Sequence, residues 1–339
     1  MAIMAFRTAW VDAVKPIKTN IRNLFRDEVA AYLTVSELQG KDTGGTRFVL
    51  VSGAPFIYDP ADTTSADNGV NIIVSNDGGC YKLASFAREK LTANRTYYVR
   101  KNGSDSNSGL ANTAGGAYVT IQKALNAAAA LDPSIYSVTI SVDGTGASYA
   151  ENLTIPVMLG GKLLTLTTST GANIAPASGS PITANIPGVN VQVTGFTLTA
   201  ASATHIGASN GARVAYSGIT FTASALFHIS SQSNALVINT GAYTIAGGAY
   251  AHHYANGGRI ALAGITVTLT GTPAFAYAFA AAQVGASIEY ASTVFSGSGT
   301  GARYNVTAGS VIMTFGAAST YLPGNSAGTA NTAAGGFYV

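Results

Sequence analysis

From about Gly171 to Gly264 the chain repeats one pattern: a glycine, a short run in which β-branched or aromatic residues alternate with small ones, then a polar turn. The glycines that open these phrases, Gly195, Gly218, Gly241 and Gly264, stand 23 residues apart, and Gly171 lies 24 residues before the first. A fixed period in the twenties predicts a solenoid, whose repeats bury their apolar faces only against their neighbours. The same register makes Val191, Val214, Val237 and Ile260 equivalent, so they are expected to stack in one interior ladder. The leucine-rich repeat shares this period, but its Leu-x-x-Leu-x-Leu phrase is missing. Alternating Val, Ile, Thr, Tyr and Phe suit half-buried strands and favour a parallel β-helix.

The coils are expected to begin at Ser137, with Val138–Val142 and Leu163–Thr167 as the first strands, and to end with the run Ser310–Phe315. The phrase at Ser287 arrives late, which predicts an insertion or a bulged loop within Gly271–Val284. Ahead of the coils, Thr120 stands at an N-cap position, and Ile121, Ala124, Leu125 and Ala128 form one apolar helical stripe. Such a helix would cover the open end of a β-helix and its unpaired strand edges.

Nearer the N-terminus, Trp10, Val14, Ile17, Ile21 and Leu24 follow alternating steps of four and three, the spacing of a coiled-coil seam. Pro16 places the helix start near itself, and the helix is expected to continue to about Leu33. It either packs on its own domain or serves to join copies of the chain or dock on a partner. Short strand-like runs at Phe48–Val51 and Val70–Val74 then alternate with Asp/Asn/Gly-rich turns. Asp59, Asp62, Asp67 and Asp77 lack the spacing of a helix-loop-helix calcium site and read as turn formers. The expected divisions are 1–45, an N-terminal helical attachment or oligomerisation segment; 46–95, a small β head; 96–136, an opening strand and capping helix; 137–320, the β-helix; and 321–339, a C-terminal tail.

The stretch from Phe56 to Leu83, with its Asp-rich turn, Asp67–Asn68–Gly69 and Gly78–Gly79–Cys80, is similar to the small head domain that precedes the β-helical body in many bacteriophage tailspikes and tail fibres. The strand Tyr97–Val99 with its Asn102–Asp105 loop, followed by Thr120–Ala124, resembles the start of right-handed β-helices of the pectate-lyase-like superfamily, phage tailspikes included. To the mostly β, parallel β-helix of about 23 residues per coil that the period predicts, the resemblance adds right-handedness, a virion-attaching head and a role on the phage particle. The ending, Pro323–Asn325 and Gly335–Tyr338, resembles those of some phage fibre proteins, which implies a tail pinned between chains; its Gly/Ala/Asn-rich composition alone predicts flexibility.

Charge narrows the partners. Charged residues make up 10% of the chain, and all but two of its 15 carboxylates and all but four of its 18 Lys/Arg precede Gly144. A net charge of +3 gives no footprint for nucleic acid or for an anionic membrane. No apolar run approaches the roughly 18 residues of a membrane span. Met1–Arg7 do not open a secretory signal, so synthesis in the bacterial host cytoplasm and assembly into the virion are expected. Cys80 is the single cysteine, which rules out an intrachain disulfide and a Cys-based zinc site, and it is expected to be a small buried hydrophobe. The low-charge, Ala/Gly/Thr-rich exterior suits side-by-side packing, and a homotrimer is expected. The other expected partners are virion tail or collar proteins, through the N-terminal region, and host surface polysaccharide.

Catalysis is not expected. After Asp143 the only carboxylates are Glu151 and Glu289, five to six coils and roughly 25 Å apart in height, whereas glycoside hydrolysis needs a close pair. No cluster exists for a calcium-dependent lyase, and no cofactor or metal is implied. A polysaccharide depolymerase with a site between subunits and a bacterial β-helix adhesin remain the alternatives. His205, His228 and His252 recur at intervals of 23 and 24, so they are expected to form a ladder that contacts ligand, responds to pH near 6.5 or simply stacks; His253 is expected on the opposite side of its strand. Arg213 and Arg259, two coils apart with Leu236 between, are candidates for holding an acidic sugar or phosphate.

Overall fold

The computed structural model describes residues 29–32, 34–40, 48–51, 54–70, 72–83, 88–144 and 148–339. They fall into two compact units divided between Arg88 and Glu89. No helix among the described residues is long and apolar enough to cross a membrane.

The first unit is a five-stranded sheet in the order Val29–Tyr32, Phe48–Val51, Ala54–Tyr58, Cys80–Leu83, Ile72–Val74. The first pair is parallel and the others are antiparallel. Leu38, Val49, Val51, Phe56, Ile73 and Tyr81 form its core. Leu38 comes from a short helix, Val35–Gln39, started by a reciprocal cap between Thr34 and Glu37. The aspartates act as turn formers: Asp62 accepts from the Thr64 and Ser65 amides, and Asp67 from Gly69 and Val74. Lys82 lies 2.8 Å from both Asp59 and Asp62 and holds their carboxyls below the usual range. Cys80 is buried, which pushes its thiol up. The helix expected to reach Leu33 is replaced at Val29–Tyr32 by a strand, because these residues complete a sheet with Phe48–Val51. The seam of Trp10, Val14, Ile17, Ile21 and Leu24 lies outside the described residues. The head therefore starts before residue 46, and Glu89–Lys90 pairs with Leu131–Asp132 in the second unit.

The second unit is a parallel β-solenoid. Each coil visits three sheets in turn: Asn190–Thr194 lies in sheet I, Thr197–Leu198 in sheet II and Ile206–Ala208 in sheet III, and the next coil repeats the order. Among the described residues sheet I has ten strands, sheet II seven and sheet III nine. Strand pairing puts Val138, Leu164, Val191, Val214, Val237, Ile260, Ile288 and Ile312 in one column, each with at most 1% of its surface exposed. Burying each aliphatic side chain stabilises the stack by about 1.5–3 kcal/mol before entropy is counted, so this ladder is the spine of the unit. Between sheets I and II the chain bends at Gly195, with φ of 88° and room for no side chain: a Cβ there would lie 2.6 Å from the Thr168 carbonyl oxygen.

Helix Ile121–Ala129 closes the first coil and buries the expected stripe of Ile121, Ala124, Leu125 and Ala128. One expectation holds in a different form and one changes. The extra residues do fall within Gly271–Val284, but as part of a ten-residue strand, Ala274–Gln283, whose pairing with Ala249–Asn256 shifts register after Ala249. The tail is a further coil, with Thr329–Ala330 added to sheet III and Phe337–Tyr338 to sheet I. Leu322 is buried in the common core, and the Tyr338 ring stacks on Tyr304 at 4.1 Å. Its glycines and asparagines form the turns of that coil; Gly335, for example, ends a 3-10 turn capped by Asn331.

Candidate functional site

The three histidines do stack, but inside the coils. His205, His228, His252 and also His253 are fully buried. The His205 and His228 rings are 5.1 Å apart, His228 and His252 are 5.2 Å apart, and Phe279 continues the column 5.1 Å beyond His252. Hydrogen bonds fix the tautomers. His228 Nε2 is 2.8 Å from the Thr222 carbonyl, which only accepts, so the proton is on Nε2 and Nδ1 is an acceptor. His252 must then donate from Nδ1 across 2.9 Å, which leaves its Nε2 to accept from the Tyr243 hydroxyl at 2.8 Å. His205 Nε2 accepts from the Ala200 amide at 3.2 Å.

Every histidine in this chain is therefore built in neutral. Burial lowers His205 to about 4 and His253 to about 3, and it holds His228 and His252 well below 6.5. The column touches no surface ligand and does not titrate near 6.5. His253 was expected on the far side of its strand. Instead Ala251, His252 and His253 all turn inward at a corner, and His253 Nδ1 meets the Tyr290 hydroxyl at 2.7 Å. Strict alternation holds only for straight strands.

The arginine register is as expected: Arg213 pairs with Leu236, and Leu236 with Arg259, on sheet I. Their free charge is not. Arg259 donates from Nε and an Nη to both oxygens of Glu289 at 2.7 and 2.6 Å, while Arg213 donates to the Asn190 side chain at 2.9 Å. An acidic ligand would compete with a bidentate carboxylate already in place at Arg259. Glu151 is also engaged, accepting at 2.9 Å from the Ile121 and Gln122 amides at the start of the capping helix. Among the described residues no group of three His, Cys, Asp or Glu side chains is arranged to hold a metal ion.

The outward face of sheet III carries hydrogen-bonding side chains in register from coil to coil. One column there runs Thr183, Gly207, Ser230, Tyr254. A second, along its edge, pairs Gln232 with Asn256 and Asn256 with Gln283, and Ser209 and Asn185 precede Gln232 at the same offset on the earlier coils. Between the columns lies an open groove of about 280 Å3 whose lining includes Thr183, Asn185, Thr204, Gly207, Ser230 and Gln232. Beside it, Phe227 stacks on Tyr254 at 4.1 Å and Tyr250 on Tyr277 at 5.0 Å, with the rings of each pair nearly parallel. The Tyr254 hydroxyl donates to Gln283 and accepts from Asn256, and Gln283 donates to the Tyr277 hydroxyl. Amides and hydroxyls supply both donors and acceptors, the rings supply apolar surface, and the groove lining carries no acidic or basic side chain. Sequence reasoning missed this face, although Asn185, Ser209, Gln232, Asn256 and Gln283 keep the coil period and stretch it only at the lengthened strand.

Comparison with known proteins finds one family: the phage tail protein small four-stranded beta-sheet domain matches residues 28–86. Neither the curated proteins nor the solved structures give a match to this chain. The matched residues span the sheet of the first unit, from Val29 to Leu83. A segment similar to a phage tail β-sheet domain, followed by a parallel β-solenoid, fits a phage tail fibre or tailspike protein with a β-helical body.

Proposed function

We propose that this chain is a tail fibre or tailspike component that attaches to the phage particle through its N-terminal region, assembles as a homotrimer and uses the solenoid to bind glycans on the host surface. The observation that carries the reading is the phage tail domain at residues 28–86 ahead of a solenoid with a neutral, hydrogen-bonding outer face. A purely binding role is supported by the two carboxylates of the body, which are committed to a helix start and to an ion pair. Acid–base chemistry would need at least one of them free, in reach of a second.

Gold-labelled antibody against the chain, viewed by electron microscopy on intact particles, should mark the tail or its collar. Label absent from the particles, or spread over the host cell envelope, would replace this reading with the adhesin alternative. Light scattering of the purified chain should give three times the 34.3 kDa protomer mass; a monomer mass would remove the trimer.

A further inference from the structure

We propose that the groove on sheet III is the site for a linear, uncharged polysaccharide that lies along the solenoid axis, and that Gly207 sets its depth; this rests on the glycan-binding reading above. Four observations support it.

The first is Gly207 itself. It lies inside a strand, where glycine is normally unfavourable, and nothing in the backbone demands it. Its φ is not left-handed, and an added Cβ would meet only the Ile182 carbonyl oxygen, at 3.9 Å. Its neighbours in the column, Thr183 and Ser230, carry side chains, so the glycine opens a dent between Thr183 and a buried Ser230 whose hydroxyl accepts from Gln232. A strand glycine away from a bulge or bend often marks a place where a ligand or another backbone comes close.

The second is charge. The groove is lined by Ser, Thr, Asn, Gln, Gly and Ala, without a cation. A uronic acid or phosphate would give up hydration there for no counter-charge, whereas neutral hydroxyls exchange water for amides and hydroxyls at little cost. The third is pitch. Equivalent groups on successive coils recur about every 4.8 Å, close to the length of one pyranose ring, so a chain along the axis presents one sugar per coil.

The fourth is preorganisation. The aromatic cluster stands next to the groove, Tyr250 is 42% exposed, and the Tyr254, Asn256, Gln283 and Tyr277 side chains hold one another in place. Fixed side chains lose little rotamer freedom when a ligand arrives.

The test is affinity electrophoresis of the full chain through gels containing dextran or galactomannan as neutral probes and alginate as an acidic one. Gly207→Thr copies the neighbouring residue and fills the dent, Tyr250→Ala trims the aromatic cluster, and Lys162→Ala, just before the sheet I strand Leu164–Thr168, is the control. The expected result is retardation by a neutral polysaccharide, at least tenfold weaker in Gly207→Thr and Tyr250→Ala and unchanged in Lys162→Ala, with the melting temperature of Gly207→Thr no lower than that of the parent. Neutral retardation untouched by Gly207→Thr would overturn the position while leaving glycan binding intact. Retardation by alginate alone would overturn the neutral class. No retardation in any gel would overturn the site together with the glycan-binding reading. A loss of assembly mass in either sheet III variant would make this face a contact between copies and overturn the proposal.

Discussion

His228 and His252 meet Nδ1 to Nδ1 at 2.9 Å inside the solenoid, one donating and one accepting, in a chain that runs from the Tyr243 hydroxyl to the Thr222 carbonyl. The arrangement works only while His228 is neutral, since a proton on its Nδ1 would put two N–H groups face to face. Stability should depend on acid accordingly. Each histidine titrates lower in the folded chain than in the unfolded one, so between those values the unfolded state binds more protons. The stabilisation is full above about 6.5 and is lost as the pH falls toward about 4 for His205 and about 3 for His253. The slope is about 1.4 kcal/mol per pH unit for each histidine in that window. Scanning calorimetry between pH 7 and 4.5 should show a steadily falling melting temperature; a flat profile would contradict the neutral network.

Glu151→Gln should weaken the closed end of the solenoid. The carboxylate accepts from two amides at the positive end of the capping helix, and glutamine has one acceptor and no charge for them. The expected cost is about 1 kcal/mol in urea unfolding. An unchanged midpoint would mean that the capping helix does not depend on this contact.

Gly195→Val should destabilise by about 2 kcal/mol or more, since a β-branched residue is forced into left-handed backbone beside the Thr168 carbonyl. The same change at Gly207, whose backbone is ordinary and whose surroundings are open, should cost far less. Thermal denaturation of the two variants side by side measures the difference, and equal losses would contradict the distinction.

Arg259→Ala should cost no more than about 1 kcal/mol despite the bidentate geometry, because the arginine is more than half exposed and water replaces most of what it gives. Chemical denaturation reads this directly. A loss several times larger would assign the Arg259–Glu289 pair a structural weight that its exposure does not give it.

How much of this was legible in the sequence follows from what a period can and cannot encode. When coil length equals repeat length, residues one period apart must stack, so the Val191–Val214–Val237 column, the histidine column and the Arg213–Leu236–Arg259 row were all readable as rows. A period does not say which way a row faces. The histidines lie at a corner where consecutive residues both turn inward, so the alternation rule placed His253 wrongly and left the others open to ligand. The Gln232–Asn256–Gln283 row was hidden for another reason: Asn, Gln and Ser also fill turns, and only strand pairing shows that these stand on a sheet. The tail, poor in aliphatics and rich in Gly, Ala and Asn, reads as flexible by composition, yet Leu322 and Tyr338 suffice to seat it as a coil.

The whole account depends on residues 23 apart being vertical neighbours. Urea unfolding of Val191→Ala, Val214→Ala and the double variant measures this most directly, with Val138→Ala and Ile312→Ala, at opposite ends of the same column, as the distant pair. The adjacent pair should show an interaction energy of about 0.5 kcal/mol or more and the distant pair should add. Simple additivity for Val191 and Val214 would contradict the stacked coils.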